Sequence, residues 1–160
     1  MKKTGKKKGR KQERDFCTYC VKILDWEVPY SISLNRGKSI TIGPFWEHVN
    51  LRIKGHLLYP EKIAGELPLS FLGSREENDY LKNPDKYASW EPNAVGHLTI
   101  RGKQRNFLGS LPQDIFPILI AGLSAEKYCH IILNGHVLYR GGAYIDSINF
   151  EREYDPEDWV

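Results

Sequence analysis

Cys17 and Cys20, in Cys17-Thr18-Tyr19-Cys20, are the first residues whose spacing suggests chemistry. A CxxC pair holds zinc when a turn points both thiolates at one ion. It runs redox chemistry when it sits at a helix N-terminus after a strand. Neither setting is present here. The flanking pattern is that of a strand, in which residues three apart point to opposite faces, and no Gly or Pro beside the pair makes a knuckle. Only Cys129 and His130 remain to complete a metal site, and adjacent residues of a strand also point opposite ways. Cys17 and Cys20 are therefore weak metal candidates, read as ordinary strand positions. No cofactor is expected.

His48, Asn50, Arg52, Lys54 and His56 form a second pattern, alternating with Val49, Leu51, Ile53, Gly55 and Leu57. Five polar residues of one parity line one face of a strand for about 27 Å, at ~3.4 Å per residue. Such a face can take phosphates. It can equally be the wet side of an antiparallel sheet. Arg52, Lys54 and His56 are its binding candidates.

A third group follows residues 73–94. Asn83-Pro84-Asp85 and Glu91-Pro92-Asn93 are turn signals, and the stretch reads as a long irregular loop. Loops of that length are often functional. Tyr87, Trp90 and Glu91 close it just before His97, a composition common in binding sites. The alternative is that Tyr87 and Trp90 tuck the loop onto a sheet. Trp90 and His97 join the candidates. No nucleophile elbow, phosphate-cradling glycine loop or metalloprotease helix is found. No spacing among the five histidines and twenty acids singles out a general acid–base pair.

Charge is unevenly spread along the chain. Residues 1–14 carry eight basic residues against Glu13, a net +7, with Met1 the one apolar residue. Such a segment cannot offset its ordering entropy by burial and is expected to be a disordered tail. It would attract a polyanion such as nucleic acid without reading bases. Residues 151–160 carry five acids against Arg152, a net −4, and are expected to fray. The body between, 15–150, holds equal numbers of acids and bases, so the overall +3 misdescribes it. No stretch approaches the ~20 apolar residues of a membrane span. No apolar segment follows the basic start as in a secretory signal. Three cysteines, an odd count, suit a reducing compartment, and a cytoplasmic location is expected.

The elements that position these residues are mostly strands. Phe16–Val28 alternates and is rich in β-formers, with Pro29 limiting it. Ser31–Leu34 and Ser39–Ile42 flank an Asn35-Arg36-Gly37 turn. Glu66–Leu72 is a further strand, and Val95–Arg101, Gly102-Lys103 and Gln104–Leu108 form a hairpin. One helix is expected over residues 112–125, with Asp114 as its cap, Pro117 in the first turn and an almost wholly apolar surface. Tyr128–Leu133, an Asn134-Gly135 turn, His136–Arg140, a Gly141-Gly142 turn and Ala143–Phe150 read as a three-stranded meander.

The fold class is therefore mainly β: an antiparallel β-sandwich or barrel-like sheet with one buried helix, about 112–125. The chain divides into a basic tail (1–14), a single β-rich domain (15–150) and an acidic end (151–160). The favoured function is a non-catalytic binding or interaction protein acting on a protein or ligand through loops and strand edges, its partner being a protein or, through the tail, a polyanion such as nucleic acid. One rival is a nucleic-acid-associated accessory protein using the tail. Another is an enzyme whose site is assembled from scattered residues.

Overall fold

The computed structural model of the protein describes residues 15–34, 45–155 and 157. The basic tail, the Asn35-Arg36-Gly37 turn, the Ser39–Ile42 strand and part of the acidic end lie outside the described residues.

Among the described residues eight strands and two short helices follow one another: β1 (Phe16–Glu27), β2 (Tyr30–Leu34), β3 (Phe45–Tyr59), β4 (Gly65–Ser74), α1 (Arg75–Lys82), β5 (Gly96–Arg101), β6 (Gln104–Pro112), α2 (Phe116–Ser124), β7 (His130–His136) and β8 (Gly142–Glu151). The strand order is β1-β7-β8-β5-β6-β4-β3, and β1 pairs with β3 to close a seven-stranded barrel. Of the two architectures expected, the barrel is the one adopted. The sheet departs from all-antiparallel pairing at one place, where β4 runs parallel to β6. Chain order explains this. After β4 the chain crosses through α1 and returns as β5, and β6 then folds into the gap between them. It lies antiparallel to β5 and so parallel to β4.

Alternation builds the interior. Tyr19 and Val21 of β1, Leu51, Ile53 and Leu57 of β3, Leu67, Leu69 and Phe71 of β4, Leu98, Phe107, Ile131, Leu133 and Ile145 all point inward and are buried. Each such side chain contributes roughly 1.5–3 kcal/mol by leaving water. Among the described residues no polar or charged side chain is buried. In β1 the inward set jumps from Ile23 to Trp26. Ile23 lies opposite Gly55 but Asp25 opposite Lys54, so Leu24 is a bulge residue that resets the parity.

Four local expectations need correction. Residues 73–94 are irregular only in their second half: Ser74 caps α1, its hydroxyl accepting from the Glu77 N–H at 3.1 Å, a 3-10 turn follows over Pro84–Tyr87, and residues 88–94 have no helix or strand. The 112–125 helix starts later. Leu111 and Pro112 belong to β6, Gln113–Ile115 form a 3-10 turn, and α2 proper begins at Phe116. Asp114 is not its cap; Ile115 stands there with no side-chain bond, and the Asp114 carboxylate pairs with Lys82 at 3.0 Å. Pro117 does lie in the first turn. Phe116, Leu119 and Leu123 enter the core, and Ile118 is exposed.

The third correction concerns Asn134-Gly135, which is not a turn but the interior of β7. Gly135 pairs with Cys17 on one side and Ile145 on the other, at a bulge. A Cβ there would collide with the Tyr144 carbonyl and come within 2.7 Å of Ile145 Cα. Glycine serves close backbone approach at this position, not a turn. The real turn is Arg140-Gly141, both with positive φ (52° and 82°), closed by reciprocal bonds between Tyr139 and Gly142. The expected three-stranded meander is thus a pair of strands. Fourth, the acidic end does not fray from Glu151. That residue completes β8, and the Tyr154 ring packs 6.2 Å from His130. Among the described residues no helix is long and apolar enough to cross a membrane.

Candidate functional site

The polar stripe on β3 lies where alternation puts it, with Arg52, Lys54 and His56 exposed and Leu51, Ile53 and Leu57 buried. Its neighbours change its meaning. On β1, Glu27 lies opposite Arg52, Asp25 opposite Lys54 and Lys22 opposite His56. On β4, Ser70 and Glu66 flank Arg52 and His56. Arg52 Nη1 is 3.4 Å from Glu27 Oε1. A shallow depression of about 270 Å³ crosses this wall, lined by Asp25, Glu27, Arg52 and Lys54 among others. Both signs of charge meet there, so the wall is not the uniformly basic face that the stripe alone suggests. Sequence reasoning found the bases but had no means of knowing which acids the barrel would bring beside them.

His97 and Trp90 do not converge with the stripe. Cross-strand partners run Arg52, Ser70, Leu108, His97, Tyr144 around the outside of the barrel. His97 is therefore three strand spacings from Arg52, roughly 14 Å. Its ring meets Tyr144 edge-on at 5.3 Å, and its Nδ1 lies 3.4 Å from Thr99 Oγ1. Trp90 packs with Tyr80 (5.5 Å) and Tyr87 (5.6 Å), and Tyr80 meets Tyr87 at 6.1 Å. These rings pack on one another, fastening the loop to α1. Asp79 adds bonds from Tyr87 (2.5 Å), Lys86 (2.7 Å) and Asn83 (3.1 Å). Those donors hold its carboxyl down at about 2.

Cys17 and Cys20 point to opposite faces of β1. Cys17 packs against the core, and Cys20 lies on the outer face opposite Ile132. Burial pushes the Cys20 thiol up to about 12 and raises Cys17 as well, which disfavours the thiolate that metal or redox chemistry requires. Among the described residues no group of three or more His, Cys, Asp or Glu side chains is placed to hold a metal ion.

The most unusual surface is one the sequence did not single out. β3 meets β4 only from Asn50 onward, so Phe45–Val49 pairs with β2 alone and the two strands project as a ribbon. Tyr30, Ile32 and Leu34 share one face with Phe45, Glu47 and Val49; Ser31 and Ser33 share the other with Trp46 and His48. Tyr30, Ile32 and Leu34 are 57, 57 and 56% exposed and Phe45 51%. Glu47 ties the base of the ribbon to the body. Its carboxylate accepts from Tyr30 OH at 3.0 Å and from Gln113 Nε2, with Arg75 at 3.9 Å. Among the described residues β2 has no strand partner but β3, and its outer N–H and C=O groups form an edge that no described strand pairs. Comparison of the chain with known families, curated proteins and solved structures returns no significant match.

Proposed function

We propose that the protein is a non-catalytic binding protein that engages a protein partner through the free edge of β2 and the apolar side of the β2–β3 ribbon. One observation carries this reading. Tyr30–Leu34 is an edge strand with no charged residue and three large side chains more than half exposed. Edge strands are ordinarily guarded by charge, proline or a covering element, because an open edge templates strand addition. Among the described residues Pro29 guards only the start. An apolar edge left open is best accounted for by a strand that pairs with it. A cytoplasmic setting fits the three free thiols.

The test is co-purification from the native cell. Wild-type chain and an Arg52→Glu/Lys54→Glu variant should retain a protein that Ile32→Lys loses. A retained protein indifferent to Ile32→Lys, or none at all, would overturn the reading. A second reading, contact with nucleic acid through residues 1–14, is supported by the +7 charge of that segment.

A further inference from the structure

We propose that the strand added to β2 comes from a second copy of this chain, paired antiparallel to it about a two-fold axis through Ile32. The proposal rests on the binding reading above and names its partner.

The sequence of the edge is palindromic in polarity. Tyr30-Ser31-Ile32-Ser33-Leu34 reads large, Ser, Ile, Ser, large in both directions. In an isologous antiparallel pair, residue i faces residue j with a constant sum of positions. Centring the pair on Ile32 sets Ile32 against Ile32, Tyr30 against Leu34, and Ser31 against Ser33. Every apolar residue then meets an apolar one on one face, and every serine a serine on the other. A one-residue slip would set Ile32 against Ser33 and mismatch both faces. A two-residue slip keeps the faces matched but leaves residues of each strand unpaired. The centred register uses all five.

Charge agrees with this occupant, and area sets the strength of the pair. Two copies of Tyr30–Leu34 meet without like-charge repulsion, because the strand carries no charge. The one carboxylate on the apolar face, Glu47, is already engaged by Tyr30, Gln113 and Arg75. Taking about 200 Å² for a large side chain, the exposed shares of Tyr30, Ile32, Leu34 and Phe45 on the apolar face come to roughly 440 Å² per copy. Two copies offer at most about 900 Å², the range of a weak and reversible pair rather than a permanent one. Pairing also turns two marginal two-stranded ribbons into one four-stranded sheet, past the three strands at which a sheet with an apolar face becomes stable.

Sedimentation of the full chain over a wide concentration range tests the pairing, and single cysteines test its register. Wild-type should show a reversible monomer–dimer equilibrium. Ile32→Lys, which sets two cations face to face at the axis, should raise the dissociation constant at least about tenfold. Directly opposed strand residues have Cα atoms about 4.5–5.5 Å apart, within disulfide reach. Ile32→Cys should therefore form a disulfide-linked dimer under mild oxidation, while Ser31→Cys and Ser33→Cys should crosslink no more than wild-type with its native cysteines. Because Ile32 is exposed, these variants should keep the wild-type circular dichroism spectrum, which checks folding. A chain monomeric at all concentrations overturns the proposal, and so does crosslinking through Ser31→Cys or Ser33→Cys in place of Ile32→Cys. If the chain is monomeric and yet Ile32→Lys loses a different retained protein, the second copy is wrong and the binding reading stands. If neither dimer nor retained protein is found, both fall.

Discussion

Cys20 lies directly opposite Ile132 across the β1–β7 pair, and both side chains are fully buried although strand parity turns them away from the barrel interior. Outward residues on a barrel wall are buried only when something lies over them. Tyr154 is placed to contribute to that cover. Its ring packs on His130, which shares the outward face of β7 with Ile132, and the Arg152 carbonyl lies 3.4 Å from His130 Nδ1. The segment after β8 is thus part of the fold, extending it past residue 150.

Alkaline stability should report this cover. Burial raises the Cys20 thiol from 9.0 to about 12 and raises the Tyr19 phenol as well. The unfolded chain therefore loses these protons at lower pH than the folded one. These two groups leave stability unchanged below about pH 9 and lower it as pH rises above 9.0 for Cys20 and above 10.0 for Tyr19, by up to about 1.4 kcal/mol per pH unit for each. A Tm series from about pH 8 to pH 11 should show the fall, and Cys20→Ala should flatten its slope. Tyr154→Ala should speed thiol labelling of Cys20 at neutral pH. Labelling at the wild-type rate would mean that Tyr154 is not the cover.

Gly135 gives a sharper stability test. A methyl group there strikes the Tyr144 carbonyl and the Ile145 backbone, neither of which can yield without breaking the β7–β8 pair. Gly135→Ala should cost more than about 3 kcal/mol, read as a shift in the urea midpoint. Gly102, in the β5–β6 turn, has φ +57° and open space around it. Gly102→Ala should cost only about 1 kcal/mol. Similar losses at both positions would contradict the account of Gly135.

The contrast between these glycines explains what the sequence could and could not convey. Gly102-Lys103 and Asn134-Gly135 carry comparable turn chemistry, yet only the first is a turn. Close approach of β8, a tertiary fact, decides the second. The alternation from Val49 to Leu57 was legible because its two faces differ in polarity. The opposite orientation of Cys17 and Cys20 was legible for the same period-two reason. α1 was not, since Arg75–Lys82 has few apolar residues to mark a helical period. Its one signal was Ser74 followed three residues later by Glu77, half of a capping box. The Glu77 carboxylate bonds to Ser110 Oγ instead of closing that box. The β2 edge was hidden for another reason. Tyr30, Ile32 and Leu34 alternate as a strand should, but which strand lies at an edge depends on pairings far along the chain.

The α1 loop should behave as a separately fastened unit. Tyr80, Tyr87 and Trp90 pack on one another, and Asp79 receives three side-chain donors. The Asp79 carboxyl is held at about 2, below its ordinary 3.8. Its contribution is present above pH 3.8 and is lost as pH falls through about 2. Trp90→Ala or Asp79→Asn should raise amide exchange and proteolysis across residues 75–90 while leaving the barrel's Tm nearly unchanged. A comparable loss of barrel stability would show that the loop is integral to the core.

The pairing of Arg52 with Glu27 sets the last expectation. Both side chains are more than half exposed, so Arg52→Ala should change stability by less than about 1 kcal/mol. With Asp25 and Glu27 beside them, Arg52 and Lys54 should add nothing to polyanion affinity. Arg52→Glu/Lys54→Glu should leave retention on heparin and binding of labelled DNA at the wild-type level. Removing residues 1–14 should abolish both. If the tail alone neutralises about seven phosphates, the affinity of the full chain for duplex DNA should fall with salt at a log–log slope near about −6. A stripe variant that weakens binding as much as the tail deletion would return the β3 face to the list of nucleic-acid surfaces. DNA binding that survives without residues 1–14 would place the electrostatics on the barrel, against the mixed charge of its wall.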